Sequence, residues 1–177
     1  MRATNSGRNR DGEKVRAMIK EILKILENDA HITTKQIATM TGAPGAEITK
    51  LIKQAEKSRI ILKYKAVVNW DKMENEQVWA LIEVKIAPQP DVGYDSIAER
   101  IYRFPQVRSA YLASGTYDLT VFVVGETMHD VADFVSQKIA PVEGVHETIT
   151  HFMLKRYKED GEILEGEEEV KRQPVIL

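Results

Sequence analysis

The chain has 177 residues, with 25 Lys and Arg against 27 Asp and Glu, for a formal net charge of −2 at pH 7. It contains no cysteine, which excludes disulfides and thiolate-held metal and fits a reducing compartment. No apolar run approaches the ~20 residues a membrane-spanning helix needs, and the basic opening MRATNSGRNRDGEK lacks the apolar stretch of a secretory signal, so a cytoplasmic protein with no membrane partner is expected.

The small net charge conceals an uneven distribution. From His31 to Lys65 there are seven Lys or Arg and two Glu, a local excess of +5, whereas Glu159 to Glu169 carries seven acidic side chains and no basic one. An electrostatic footprint for a polyanion can therefore sit on the N-terminal third while the total stays slightly acidic.

Residues 1–14 are polar and are expected to form a disordered tail. Val15, Met18, Ile19, Ile22, Leu23 and Leu26 recur at helical spacing and predict a first helix with one apolar face, stopping near Asn28 and Asp29. A second helix opens at Thr33, which forms a capping-box pair with Gln36; Ile37, Ala38 and Met40 give its apolar side and Gly42 its C-terminal cap. A third starts with Pro44 near its first position and buries Ile48, Leu51, Ile52 and Ala55. Helix, short glycine-containing turn, helix is helix-turn-helix order, here over 15–64. The β-rich run RIILKYKAVVNW follows and reads as a wing or connecting strand, with a linker strand over 65–77.

From Val78 the apolar period changes to two: Val78, Ala80, Ile82, Val84 and Ile86 alternate with Trp79, Leu81, Glu83 and Lys85. APQPDVG breaks that strand. Ile97, Ile101 and Phe104 mark a helix capped by Asp95. VRSAYLAS is a strand, GTYD a turn and LTVFVV a strand. Val131, Phe134, Val135 and Ile139 mark a helix capped by Thr127, and VHETITHFMLKRYK is the last strand. The order over 78–158 is β-α-β-β-α-β, a ferredoxin-like arrangement, so the chain is α+β: a winged-helix-like helix-turn-helix domain followed by a βαββαβ domain. Residues 159–177 are expected to be a flexible extension.

Both alternating sets of LTVFVV are apolar, and Trp79 and Leu81 make the outer side of the first strand apolar too. Two helices cover only one face of a four-stranded sheet. A homodimer through the remaining faces is expected.

This helix-turn-helix, followed by IILKYKAVVNWDKM, a βαββαβ domain with a Gly-x-Tyr-Asp hairpin, and the strand HETITHFMLKRYK, resembles the Lrp/AsnC, or feast/famine, family of transcription regulators over roughly Val15 to Lys158. The resemblance implies dimers that assemble further into tetramers or octamers, double-stranded DNA as one partner, and an amino acid bound between regulatory domains. On that view Lys35, Lys53, Lys57, Lys63 and Lys65 contact phosphate, while Gly45, Ala46, Thr49, Lys50 and Gln54 face the major groove. Lys50 suits guanine and Gln54 adenine. The effector site carries over to Ser114, Gly115, Tyr117 and Asp118, with Thr148 and Thr150 of the last strand as lining. Chemically, Gly115 lets a ligand approach the main chain, whose amides can hold a carboxylate. Asp118 can hold an ammonium group and Tyr117 offers an apolar wall with a polar tip.

Plainer roles stay open for the same residues: lysines solvating a helix face, and Gly115, Tyr117 and Asp118 shaping and packing a turn. A second functional reading is a metabolite-binding or assembly module whose helix-turn-helix no longer binds DNA, because the first turn of the third helix, PGAE, includes Glu47. Catalysis is not expected. His31, His129, His146 and His151 are scattered, Arg103, Arg108 and Arg156 are dispersed, and no metal-ligand spacing, phosphate loop or nucleophile elbow occurs. No cofactor and no metal are implied.

Overall fold

A computed structural model describes residues 5–73, 77–87 and 93–165. The chain divides into two units, Met1–Ala66 and Val67–Leu177.

The first unit holds three helices: α1 (Asn5–Asn28), α2 (Thr34–Thr41) and α3 (Gly45–Lys57). Ile22 and Leu26 of α1, Ile37 of α2, Ala43, and Ile48 and Leu51 of α3 close a small core, with Met18, Ile19, Ile25 and Ile52 packed around it. The capping box at Thr33 forms as the spacing predicts: the Gln36 amide donates to Thr33 Oγ1 at 3.3 Å and the Thr33 amide to Gln36 Oε1 at 2.9 Å. Gly42 ends α2 in the left-handed region.

Three expectations for this unit need correction. The helix begins at Asn5, so most of the stretch expected as a disordered tail is helical; residues 1–4 lie outside the described residues. A helix nucleated by packed residues propagates cheaply through good helix formers such as Arg, Glu and Lys. The core starts at Met18, leaving Val15 43% exposed, and Met40 faces outward at 62%. Pro44 stands at the start of α3 as expected, as its N-cap.

The linker strand expected over 65–77 is not formed either. Residues 62–69 have no regular structure, Trp70–Met73 make one 3₁₀ turn, and 74–76 lie outside the described residues. High β-propensity does not make a strand without a neighbour to take its main-chain hydrogen bonds.

The second unit is a four-stranded antiparallel sheet of β1 (Val78–Ile86), β2 (Val107–Leu112), β3 (Leu119–Gly125) and β4 (Val145–Phe152), in the order β2-β3-β1-β4. Helices α4 (Tyr94–Tyr102) and α5 (Met128–Phe134) connect the strands, and α5 continues through a π-helical turn at Val135–Ile139. This is the βαββαβ arrangement, with the outer strands β2 and β4 flanking the central pair. Ala80, Ile82, Val84, Leu119, Val121 and Val123 face the helices and are almost fully buried against Ile97, Ile101, Val131 and Phe134. Phe104 meets Phe134 edge to face at 5.4 Å. Thr127 caps α5 in a box with Asp130. Asp95, expected as a cap, sits inside the first turn of α4, and Gly93 is the N-cap. The strand break expected over 87–93 falls mostly outside the described residues.

The last strand ends at Phe152, earlier than the expected Lys158. The chain then forms a hairpin, β5 (Lys158–Glu159) and β6 (Glu162–Ile163), around an Asp160-Gly161 turn with both residues at positive φ. Leu164 is buried, its amide donates to the Tyr157 carbonyl at 3.0 Å, and its own carbonyl accepts from Asn69 Nδ2 at 2.9 Å. The start of the expected flexible extension is thus ordered, and residues beyond Glu165 lie outside the described residues. No helix among the described residues is long and apolar enough to cross a membrane.

Candidate functional site

Two places gather the residues singled out from the sequence. On α3 the buried stripe Ile48, Leu51 and Ala55 fixes which side faces out. Ala46, Lys50, Lys53, Gln54 and Lys57 are exposed, as are Lys35, Lys63 and Lys65. Lys35, Lys50, Lys53, Lys57 and Lys63 form no ion pair among the described residues. Their charge is therefore available to a polyanion. Gly45 and Thr49 are only half-exposed, and the Thr49 hydroxyl donates back to the Gly45 carbonyl at 2.9 Å. Behind α3, Tyr64 donates to Glu56 Oε1 at 2.9 Å, and desolvation, followed by this bond and the glutamate's charge, raises the phenol above its ordinary pKa of 10.0.

The second place is the turn between β2 and β3. Ser114, Thr116 and Tyr117 line a depression of about 240 Å³ together with Glu83, Ala113 and Thr120. Gly115 has φ +134, and a side chain there would meet nothing within 4 Å, so the turn's flank is open. No described hydrogen bond uses the main-chain N–H of Gly115, Thr116 or Tyr117. Partial desolvation raises the Tyr117 phenol above 10.0, with Glu147 and Glu83 adding to the shift and Lys85 opposing it. The phenol stays neutral, and a hydrogen-bond donor, through the physiological range.

Asp118 takes up the plainer of the two roles open to it, shaping the turn. Its Oδ2 accepts the Ile86 amide at 2.8 Å and lies 3.4 Å from Lys85 Nζ, which also donates to the Thr116 carbonyl at 2.8 Å. Its own amide donates to the Val84 carbonyl at 3.0 Å. The carboxylate thus braces the turn against β1, next to the register shift at Lys85/Ile86.

Thr148 and Thr150 do not join the depression. Thr148 pairs with Val84 and Thr150 with Ile82, so both lie on the helix-covered face. The residues missed are on the other face. Glu83 stands between Thr120 and Ile149, and its Oε2 is 3.2 Å from His151 Nε2. Alternation alone puts Glu83 outward; only the strand register sets it beside the turn.

Towards the start of β1 that outer face is apolar, as expected. Trp79, Leu81, Phe122, Val124 and Ile149 are half-buried there, Tyr111 meets Phe122 edge to face at 6.4 Å, and Arg156 stacks 5.5 Å from the Trp79 ring while bonding Asp71 at 3.0 Å. A wider depression of about 820 Å³ at the opposite end of β1 and β3 is lined by Gln77, Gln106, Glu126, Asp130, Asp133 and Lys138, among others. Of its three acids, Asp130 is committed to the Thr127 cap and Asp133 lies 3.4 Å from His129. No group of three or more metal-ligating side chains comes together among the described residues.

Residues 79–163 match the model of the Lrp/AsnC ligand binding domain, and residues 16–61 that of a winged helix-turn-helix DNA-binding domain. The HTH-type transcriptional regulator YugG of Bacillus subtilis, itself uncharacterized, is 45% identical over 86% of this chain and 92% of its own length. The chain belongs to the Lrp/AsnC family. It is a transcriptional regulator and not an enzyme. Among solved structures, a Neisseria meningitidis transcriptional regulator in complex with L-Met has a TM-score of 0.64 at 21% identity, covering 80% of this chain and 91% of that one. A feast or famine regulatory protein from M. tuberculosis complexed with L-methionine has a TM-score of 0.67 at 17% identity, covering 84% and 98%. At these identities the likeness establishes the fold. In this Lrp/AsnC chain the matched ligand-binding segment contains the whole β2–β3 depression, and the matched DNA-binding segment contains all of α2 and α3.

Proposed function

We propose that this cytoplasmic regulator binds double-stranded DNA through the exposed face of α3 and senses an amino acid at the β2–β3 turn, acting as a dimer in which two copies cover each other's apolar sheet faces and assemble further. Lys35, Lys53, Lys57, Lys63 and Lys65 serve phosphate, and Ala46, Lys50 and Gln54 meet the bases, with Gly45 and Thr49 at the edge of the contact. Ser114, Gly115 and Tyr117 form the effector site, the amides of the turn holding the carboxylate. The observation that carries this reading is the depression beside free main-chain amides, within a domain of the ligand-binding type. The L-methionine bound by two proteins of the same fold supports an amino acid as the class.

The test is selection of bound genomic fragments, followed by titration of one fragment at several salt concentrations. A protected sequence with affinity falling steeply in salt is expected, and Lys53→Ala should lower the salt slope by about one. Unchanged fragment mobility at low salt would favour the module that no longer binds DNA, the reading that Glu47 in the first turn of α3 supports.

A further inference from the structure

Resting on the reading of the β2–β3 turn as the effector site, we propose that Glu83, not Asp118, is the anion that selects the ligand, so that the site takes a compound with a primary ammonium group next to its carboxylate. Asp118 is less well placed for this role: it does not line the depression, and its side chain is 18% exposed. Both the Ile86 amide and Lys85 Nζ already converge on its Oδ2, its own amide bonds Val84 of β1, and its carbonyl accepts from the Ala113 amide just past β2. Glu83 is placed differently. It lines the depression, His151 holds only its Oε2, and no described partner takes Oε1. Its side chain is 31% exposed, sheltered enough for a charge-assisted hydrogen bond to count yet still reachable from solvent.

The charges around the depression point the same way. Glu147 pairs across the sheet with Lys85 and so lies on the same face as Glu83. Both glutamates are near enough to the Tyr117 phenol to add to the desolvation that raises it. The one lysine nearby, Lys85, is fastened to Thr116 and Asp118. A cationic group therefore finds an unshared carboxylate oxygen at Glu83, and an anionic group finds the unbonded amides of the neighbouring turn. At about 240 Å³ the depression suits a ligand of amino-acid size rather than a nucleotide or a larger cofactor. Ala113, Thr116 and Thr120 add uncharged side chains to the lining.

The experiment uses the full chain. Each of the twenty L-amino acids is titrated calorimetrically, and each binder is compared with the 2-hydroxy acid bearing the same side chain, which keeps the carboxylate and lacks the ammonium. A charge-assisted bond sets the preference for the amino acid at roughly 10–100-fold. Glu83→Gln should bring the two compounds to within a few-fold of each other, and Glu83→Asp, which keeps the charge on a shorter stem, should retain part of the preference. Asp118→Asn should keep it, whatever it does to stability. Circular dichroism confirms that each variant is folded. If Glu83→Gln and Glu83→Asp both discriminate like the parent protein, or if Asp118→Asn alone abolishes discrimination, the assignment to Glu83 is wrong while the effector site stands. If no L-amino acid binds the parent protein, the site and the assignment fall together.

Discussion

Asp118→Ala separates a bracing role from a ligand-binding one. The perturbation removes the acceptor of the Ile86 amide and the partner of Lys85. Ile86 is 4% exposed, and its amide sits at the register shift of β1, where no strand neighbour replaces the lost bond. A part-buried amide left without an acceptor loses about 1–3 kcal/mol. The Lys85 pair contributes less, because the lysine is 38% exposed and solvent screens it; a few tenths of a kcal/mol is the scale. The sum is about 2 kcal/mol, which in a unit of roughly 110 residues lowers the melting temperature by about 8–10 °C.

The assay is thermal unfolding of the full chain followed by circular dichroism, with Asp118→Asn as control. Asparagine keeps an oxygen for the Ile86 amide and gives up the charge, so its loss should be about 0.5–1 kcal/mol. An Asp118→Ala protein that melts with its parent, while no longer responding to an amino acid, would refute the bracing role and return the carboxylate to the ligand.

Two further outcomes follow from the same coordinates. Gly144→Ala should be more damaging than Asp118→Ala: φ is +90, and the new Cβ would lie 2.5 Å from Cδ1 of the fully buried Ile97, so strain and overpacking together give about 2–5 kcal/mol, read as a lower urea midpoint. Absorbance titration near 295 nm should show the phenols of Tyr64 and Tyr117 ionising above 10.0, later than ordinary tyrosines, with Tyr64→Phe and Tyr117→Phe each deleting one late step. Since both folded values lie above the unfolded ones, the stability they contribute is intact below pH 10 and is lost as pH rises through the folded values.

Features set by short-range spacing were legible in the sequence. The capping box at Thr33, the cap at Thr127, the apolar stripe of α3 and the alternation of β1 all follow from one or two residues' relation to their near neighbours. Features that depend on pairing were not. RIILKYKAVVNW has the composition of a strand, yet residues 62–69 form none, because a strand is a property of two segments. Thr148 and Thr150 looked suitable for a polar site until register put them opposite Val84 and Ile82 on the helix-covered side. Glu83 looked like an ordinary outward residue until the same register set it beside Thr120 and Tyr117. Asp118 was recognised as important from its turn, but its partners, 32 and 33 positions earlier in the chain at Ile86 and Lys85, were not visible there.

The position of Glu83 also bears on how an effector could reach the DNA. It occupies the outer face of β1, two residues from Leu81 and four from Trp79, where the apolar surface proposed to meet a second copy begins. A ligand bound at Glu83 and the turn would then border the surface that self-association buries. It can shift that association only through a difference in affinity for the separate and the paired chains. Linkage makes the effect reciprocal: a ligand that prefers the paired form tenfold strengthens pairing tenfold, about 1.4 kcal/mol, and is itself held tenfold more tightly once the chains pair. In the paired form proposed above two copies of α3 belong to one assembly, and two half-sites engaged together would raise affinity through effective concentration without any new contact to DNA. The ligand therefore need not touch the DNA-binding unit to alter promoter occupancy; a preference expressed at the edge of the sheet is enough.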